Sequence, residues 1–492
     1  MTKIKISSIL LYIFLFEALS FLGFLFPEIR QISFFAIIFL FLIACLKDLK
    51  FGFLILLAEL FIGSKGYLFY FESNGLIVSI RIAFWLIILS VWLAKEISSA
   101  DIKKYAKILP AHWIVFFIFI GWGVLNGFFQ NNSFENIFFD FNNWLYFALI
   151  FPLFSAFKTK KDLTLIWEVF LASIIWLILK TFFLLFLFSR NIPELIEVFY
   201  RWVRSSGVGE ITLIENGFYR IFFQSHIYNL VAFFALGALI LKKIDEKKIF
   251  NKQNVKYHLL FIANLSIILI SFSRSFWVGL SVALFCFAVC VAWWFGWKTL
   301  LKITGIVLLS SGLSFVLISA VVNFPYPPPL SDYSASSLIS ERAKRTSDEA
   351  AVSSRWNLLP ELWNEIKKAP IMGSGLGTVI TYESSDPRVL ETTADGKFTT
   401  YAFEWGWLDI WLKFGLLGLL AYLVLFFKML VGGLFLFKKD RDDFEYLILG
   451  LLIGLISLMS VNFFTPYLNH PLGIGFLILL FLTLNIRFLK NT

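Results

Sequence analysis

Apolar residues come in blocks along the chain that are long enough to cross a lipid bilayer, with short polar segments between them. A helix needs about 20 predominantly apolar residues to span the hydrocarbon core. The predicted segments are 6–26, 31–46, 51–63, 75–94, 112–129, 141–157, 163–188, 219–241, 257–272, 275–295, 299–322, 405–427, 445–463 and 472–489. Because several are shorter than a full span, we predict an all-α polytopic bundle of about 12–14 transmembrane helices with one large external loop.

The composition excludes most other classes of protein. Of the 492 residues, 59% are hydrophobic and 15% are charged, whereas soluble proteins average about 45–50% and about 25%. A soluble enzyme, a disordered chain, a coiled coil and a disulfide-built secreted domain are therefore excluded. Cys45, Cys286 and Cys290 all lie in apolar blocks, so we interpret them as buried hydrophobic residues. The four histidines are scattered singly, and no metal site is predicted.

The net charge of +10 is distributed unevenly between the loops. If the N-terminus is cytoplasmic, it and every second loop after it lie on the cytoplasmic side, and together they carry 25 Lys and Arg residues. The short loops on the opposite side carry six. Cytoplasmic loops are the ones enriched in Lys and Arg, so both termini are predicted to be cytoplasmic. The basic start at Met1–Ile6 leads into a long apolar run with no small-residue cleavage site before Pro27, which predicts a retained first helix.

Residues 323–402 form the predicted external loop. A stiff run, Pro325–Pro329, opens it, and a helix is predicted from Ser353 or Ser354 to about Lys368. The apolar stripe of this helix consists of Trp356, Leu359, Leu362, Trp363 and Ile366. The two tryptophans suit a helix on the membrane surface. A loop of this length is usually functional, and the alternative is a solvated connector.

Several charged residues lie inside the apolar blocks, where charge is costly. Arg81 and Glu17 lie near predicted span ends, so we expect both to snorkel toward the interface. Lys180 lies deeper, and Glu168 is more than three helical turns away, so its partner must come from another helix. Asp409 and Lys413 are spaced i, i+4 and can pair on one helix face.

Arg220 and Arg274 are predicted at the outer ends of helices, on the side of the external loop. Ser273 and Ser275 flank Arg274, and a helix that begins at residue 275 would turn its free N–H groups outward. Guanidinium groups, hydroxyls and a helix N-terminus together suit a phosphate. The alternative is an ordinary interfacial arginine beside a tight turn. The glycine run Gly373–Gly377 lacks the GK[ST] of a P-loop, so we interpret it as a flexible turn.

Glu404 enters the membrane where the external loop returns. No oppositely charged residue lies at i+4, where Leu408 stands. A positioned carboxylate of this kind is a candidate general base for a hydroxyl. In the loop, Arg355 precedes the tryptophan-bearing helix directly and, with Trp356, is a candidate for contact with a substrate.

The order of short motifs resembles a known family. A Ser-Arg-Ser helix start at 273–275 is followed by Arg355-Trp356-Asn357, then by Ala369–Gly377, and then by a returning helix with Phe414–Leu420. This order resembles the C-terminal module of the O-antigen ligase and O-antigen polymerase superfamily over about residues 257–425. The predicted division is therefore 1–256 for N-terminal helices, 257–425 for the module with loop 323–402, and 426–492 for final helices.

The resemblance implies a glycosyltransferase of the GT-C-like membrane class. Such an enzyme moves a glycan from undecaprenyl pyrophosphate to a sugar hydroxyl at the outer face of the bacterial plasma membrane. The acceptor is a lipid A core for ligases and a growing lipid-linked repeat for polymerases. The resemblance implies a metal-independent, inverting reaction without a cofactor. The expected partners are the donor, a glycan or glycolipid acceptor and membrane lipids, and no nucleic acid. Arg220 and Arg274 would then hold the pyrophosphate.

The general base departs from the family pattern. Ligases that this chain resembles carry a histidine about eleven residues before the first glycine of the returning helix, and here Glu404 stands eleven residues before Gly415. Ligase and polymerase therefore stay equally open, and His226 and His470 are alternative bases. Two other functions are weighed: a polyprenyl-linked glycan flippase or other transporter, suggested by Lys180, and a non-catalytic scaffold of a polymer-assembly complex.

Overall fold

The protein is described by a computed structural model. It describes residues 5–73, 75–99, 108–190, 192–214, 218–246, 254–330, 350–384, 387–390, 393, 395–439 and 441–489. Residues 331–349 of the external loop therefore lie outside the described residues.

Helices dominate the described chain. In order they are Ile6–Leu25 (α1), Pro27–Lys47 (α2), Leu49–Ile62 (α3), Ile80–Ser99 (α4), Ala111–Phe129 (α5), Phe134–Trp144 (α6), Ile150–Ala156 (α7), Lys160–Phe188 (α8), Pro193–Ser205 (α9), His226–Asp245 (α10), Val255–Ile270 (α11), Arg274–Phe295 (α12), Trp297–Val322 (α13), Ala350–Lys368 (α14), Pro387–Leu390 (α15), Gly406–Lys439 (α16), Asp443–Val461 (α17) and Pro471–Leu489 (α18). A 3₁₀ turn, Leu145–Leu149, joins α6 to α7. Local signals set several ends: Thr159 and Asp162 form a capping box at α8.

The predicted all-α polytopic membrane class is confirmed. Among the described residues, ten helices are long and apolar enough to cross a membrane, by length and composition, and two shorter apolar helices accompany them. Three antiparallel hairpins were not predicted, because each strand has only four or five residues. They pair Tyr70–Ser73 (β1) with Leu76–Ser79 (β2), Gly209–Leu213 (β3) with Tyr219–Phe223 (β4), and Ile380–Glu383 (β5) with Lys397–Thr400 (β6).

Helices α10 and α17 form the centre of the bundle, and both are mostly buried. Glycines allow their close approach: a side chain at Gly450 would collide with the backbone of Ala235, and one at Gly454 would press on Val231. Small residues at helix interfaces serve this purpose in membranes. Helices α1, α2, α12 and α13 lie at the periphery and leave apolar side chains such as Phe39 exposed. These outer faces suit contact with lipid.

The basic segments meet at one end of the bundle. The Lys50 ammonium lies 2.7 Å from the Asp162 carboxylate, and the Lys242 ammonium lies 2.8 Å from that of Asp443. The Lys160 ammonium, 3.9 Å from the Asp442 carboxylate, links these two contacts. The described parts of segments 47–50, 158–162, 242–256 and 428–443, all predicted to lie on the same side, are thereby brought together. Which side of the membrane they face stays a prediction.

Charged residues within the bundle are paired across helices. The Lys180 ammonium on α8 lies 2.8 Å from the Glu17 carboxylate on α1, so the prediction of a partner from another helix is confirmed. Arg81 binds Glu59 with two guanidinium nitrogens, at 2.8 and 3.0 Å. The expectation that Arg81 and Glu17 snorkel is wrong: both are buried, because each finds its counter-ion inside the bundle.

The opposite end of the bundle carries the hairpins and α14. This helix ends at Lys368 as predicted, and it begins at Ala350 and keeps Pro360 in its interior. Its buried apolar residues are Leu358, Leu362 and Ile366, and they pack with Phe403 and Leu412 near the start of α16. The predicted stripe is correct at Leu362 and Ile366 and wrong elsewhere, because the buried face turns to Leu358 and leaves both tryptophans exposed. This small second core holds the amphipathic helix against the bundle.

Candidate active site

Arg220 lies in a β-strand, which corrects the prediction that it ends a helix. Strand β4 pairs antiparallel with β3, with Arg220 opposite Thr212. Ile221 and Phe223 on β4 are buried, while Arg220 and Phe222 are half-buried. This alternation is the period of a strand, and α10 begins only at His226.

The Arg220 guanidinium is held in place from two sides. Its Nε donates to the Ser271 carbonyl oxygen at 2.7 Å, and its Cζ lies 4.6 Å from the centre of the Phe222 ring. Burial lowers the pKa of Arg220, the Glu210 carboxylate raises it, and the charges of Arg355 and Arg274 lower it. An arginine remains protonated under such shifts, so the strand presents a fixed positive charge.

Arg274 begins α12 directly after a strained turn. Phe272 has a φ of 44°, which is costly for a bulky residue and is found mostly where function requires it. The hydroxyls of Ser273 and Ser275 are 3.0 Å apart, and Thr465 donates to the Ser275 hydroxyl at 3.2 Å. Ser273 does not cap the helix with its side chain. Three hydroxyls therefore cluster beside the first turn of α12.

Arg355 and Glu404 form an ion pair across the rim, through the arginine Nε and a carboxylate oxygen. Their side chains are 35% and 50% exposed, so the pair is accessible and contributes little to stability. Glu404 is thus not in the apolar surroundings implied by its place in the sequence. Arg355 also interacts through space with Arg220 and Arg274. The three arginines therefore belong to one electrostatic cluster, with Glu404 attached to it.

The segment between α17 and α18 completes this region, and sequence reasoning missed most of it. Besides Thr465, the Tyr467 hydroxyl donates to the Gln224 carbonyl oxygen at 3.2 Å, and the Phe464 ring lies 5.6 Å from that of Trp405. Burial raises the pKa of Tyr467, which keeps the phenol protonated. A signal was present: these polar and aromatic residues occupy a short loop assigned to the same side as the external loop.

A buried charge network surrounds Lys413 on α16. The Lys413 ammonium lies 2.6 Å from the Asp409 carboxylate, as the spacing predicted, and 2.7 Å from that of Asp140 on α6. Asp140 also accepts the Gly377 N–H at 2.9 Å, and Asn469 donates to Asp409. The network therefore ties α6, the external loop, α16 and the α17–α18 loop together.

The turn Gly373–Gly377 is packed inside the protein and does not form an anion-binding cradle. Asn126 and Asn132 on the α5 side donate side-chain hydrogen bonds to the carbonyl oxygens of Gly373 and Leu376, at 2.6 and 2.9 Å. Gly415, where α16 is interrupted with a φ of 72°, passes so close to this turn that any side chain would collide with Ile371. Close backbone approach explains the glycines at this point.

The two alternative histidines are engaged elsewhere. His226 is fully buried, accepts the Phe223 N–H at Nδ1 and lies 3.0 Å from the Thr181 hydroxyl at Nε2. Burial, followed by the charge of Arg81, lowers the pKa of His470 to about 3. A general base works best with a pKa near the operating pH, so His470 is poorly matched. Neither histidine shows a contact with the arginine cluster as direct as that of Glu404.

Within the described ranges, no group of three His, Cys, Asp or Glu side chains could hold a metal ion. The fold and the site together define a polytopic α-helical membrane protein with an arginine-rich site where the loops gather at one end. Residues 259–423 match the family model described as O-antigen ligase, so this C-terminal part of the chain is similar to that family. No curated protein matches the chain.

Proposed function

We propose that the protein is a membrane glycosyltransferase of the O-antigen ligase or polymerase type. It moves a glycan from undecaprenyl pyrophosphate to a sugar hydroxyl of a glycan or glycolipid, at the outer face of the bacterial plasma membrane. The observation that carries this proposal is the cluster of Arg220, Arg274 and Arg355 in a chain whose residues 259–423 match the O-antigen ligase family.

Mutual repulsion makes the cluster a good site for a polyanion. The charges of Arg355 and Arg274 both act on Arg220, and Glu404 pairs with Arg355. A pyrophosphate would relieve the repulsion, and guanidinium groups bind phosphate oxygens with two parallel hydrogen bonds. The hydroxyls of Ser273 and Ser275, beside the start of α12, supply further donors. Because the leaving pyrophosphate gains charge in the transition state, these groups would stabilise that state more than the bound substrate.

The exposed ion pair gives Glu404 a way to become a base. An exposed pair is worth about 0–1 kcal/mol, so a pyrophosphate can draw Arg355 away from Glu404 at little cost. The freed carboxylate then takes the proton of the acceptor hydroxyl. The hydroxyl oxygen bonds to the anomeric carbon while the bond to the phosphate oxygen breaks, and its electron pair leaves with the polyprenyl pyrophosphate. Attack opposite the leaving group inverts the anomeric carbon.

The transporter alternative rests on Lys180, a charge at membrane depth. In the structure its ammonium lies 2.8 Å from Glu17 and also over the rings of Trp202 and Phe223, at 5.1 and 4.6 Å. Packing of α1 against α8 therefore accounts for this charge, and Lys180 alone no longer favours a transport pathway.

Substitution of one arginine tests the proposal. In cells and with the purified full-length protein, Arg274→Ala is expected to lower glycan transfer by about a hundredfold or more, the usual effect of removing one charge-stabilising group. Arg201 on α9 is exposed and pairs with Glu197, so Arg201→Ala is the matched control and should transfer normally. Normal transfer by Arg274→Ala at an equal protein level would contradict the proposal.

A further inference from the structure

Two tryptophans stand beside the ion pair, one after each of its members. Trp356 follows Arg355 on α14, and Trp405 follows Glu404 before α16. Their ring centres are 5.5 Å apart with planes at 64°. The ion pair and the aromatic pair are therefore adjacent, because each tryptophan directly follows one member of the ion pair.

The orientation of this aromatic pair is fixed. The Trp405 indole N–H donates to the Arg355 carbonyl oxygen at 3.0 Å, and its ring rests 5.6 Å from Phe464. Trp356 is 56% exposed, although α14 already packs through its leucines and Ile366. Because the main packing of α14 is made by other residues and more than half of Trp356 is exposed, part of its ring is available to a ligand.

A second tryptophan pair on the same two segments provides an internal comparison. Trp363 and Trp411 lie 5.5 Å apart, and the Trp411 N–H donates to the Pro370 carbonyl oxygen at 2.9 Å. Their neighbours Ile371 and Met372 are exposed apolar residues. Tryptophans in apolar surroundings of this kind are typical of the membrane interface, whereas the Trp356–Trp405 pair adjoins charged groups.

We propose that the Trp356–Trp405 pair is a platform for the acceptor sugar, meaning the ring whose hydroxyl Glu404 would deprotonate; this inference rests on the proposed function. The face of an indole is apolar and carries partial negative charge. One face of a sugar ring presents C–H groups with partial positive charge, and its hydroxyls project outward. A sugar stacked on Trp356 would turn those hydroxyls toward Arg355 and Glu404.

The position of the Trp356–Trp405 pair favours binding of the acceptor over binding of the donor. Glu404 and Trp405 are consecutive, so a ring that touches Trp405 lies within reach of the base. Arg220 and Arg274, which would hold the donor pyrophosphate, belong to other elements: Arg220 is fixed to Ser271, and Arg274 begins α12. The acceptor would therefore lie beside Glu404, and the donor pyrophosphate beside Arg220 and Arg274.

Steady-state transfer by the full-length protein, measured against acceptor and donor concentration, tests the platform. Trp356→Ala is expected to raise the acceptor KM about tenfold, the size of one lost aromatic contact. The kcat and the donor KM of this variant should stay within about twofold of the wild-type values, which is a small free-energy difference. Trp356→Phe should recover much of the loss. Trp363→Ala is the matched control and should leave the acceptor KM unchanged.

Direct binding separates this inference from the proposed function. The probe is the oligosaccharide released by mild acid from the total glycolipid of the host, observed by saturation-transfer NMR with purified protein. Wild-type protein and Trp363→Ala should show saturation transfer, and Trp356→Ala should lose it. If wild-type protein binds the probe through Trp356 but transfers nothing, the proposed function fails and the platform stands.

Other results would overturn the platform. These are equal acceptor KM values for Trp356→Ala and Trp363→Ala, or the same saturation transfer in both variants and in wild-type protein. Reconstitution into phosphatidylethanolamine–phosphatidylglycerol vesicles gives a further check. If Trp356→Ala impairs insertion while binding the oligosaccharide normally, the pair is a membrane anchor and the inference is wrong.

Discussion

Arg355 and Glu404, 49 positions apart in the chain, form an ion pair that joins the amphipathic helix of the external loop to the start of α16. The same arginine interacts through space with Arg220 and Arg274. Arg355 thus belongs to the cationic cluster and also contacts Glu404. Within the described part of the chain, Glu404 is the only candidate base that contacts this cluster. If the cluster holds a pyrophosphate, Arg355 connects donor binding to the release of Glu404.

Neutralising Glu404 should separate catalysis from donor binding. For Glu404→Gln we expect kcat to fall by about a hundredfold or more, because general-base catalysis contributes about 10²–10⁴. The donor Kd should stay the same or tighten, since Arg355 loses a competing partner. The measurement is transfer kinetics combined with equilibrium binding of the donor.

The matched control is Glu383→Gln, because Glu383 is an exposed carboxylate of the same loop, on β5. It should behave as wild-type protein in both measurements. A Glu404→Gln protein with unchanged kcat would remove Glu404 from the mechanism and return attention to His226 and His470.

The buried pair of Lys180 and Glu17 is expected to serve stability and not transfer. Lys180→Met leaves an uncompensated buried carboxylate, which typically costs about 3–5 kcal/mol. The double variant Lys180→Met/Glu17→Gln should recover most of the loss in the thermal unfolding midpoint and keep normal transfer. A stable double variant without activity would show that the charges are needed for function, as a transport pathway would require.

The glycine at the interruption of α16 should not tolerate a side chain. Gly415→Ala adds a methyl group at a φ of 72° against the Ile371 carbonyl, and a strained residue of this kind costs about 1–3 kcal/mol before the collision is counted. We expect a lower unfolding midpoint in detergent and reduced transfer. Gly305→Ala is the control, because none of the described residues would touch a side chain at that position on α13, and its midpoint should be unchanged or higher.

Local relationships could be predicted from the sequence. Apolar blocks identified the helices, the i, i+4 spacing identified the Asp409–Lys413 pair, and Pro370 marked the end of α14. Hydrophobic periodicity did not identify the short secondary-structure elements correctly. It treated Tyr219–Phe223 as the start of a helix, because five residues with an apolar majority do not separate a strand from a helix end.

Long-range relationships could not be predicted in the same way. Arg355 and Glu404 were each singled out, but their contact depends on how the external loop folds back onto the bundle. The role of Asp140 could not be predicted, since its partner Lys413 lies 273 positions away. The burial of Arg81 could not be predicted for the same reason. Its bidentate contact with Glu59 forms only when α3 and α4 pack together.

The most direct test of the account is the affinity of the purified full-length protein for undecaprenyl pyrophosphate without a glycan. The account predicts that Arg220→Ala and Arg274→Ala each weaken the Kd by about tenfold or more, as loss of a charge-assisted hydrogen bond of about 1.5–3 kcal/mol implies. Arg201→Ala should bind as wild-type protein does. Equal affinity in all four proteins would contradict the account, because the arginine cluster would then not be the pyrophosphate site.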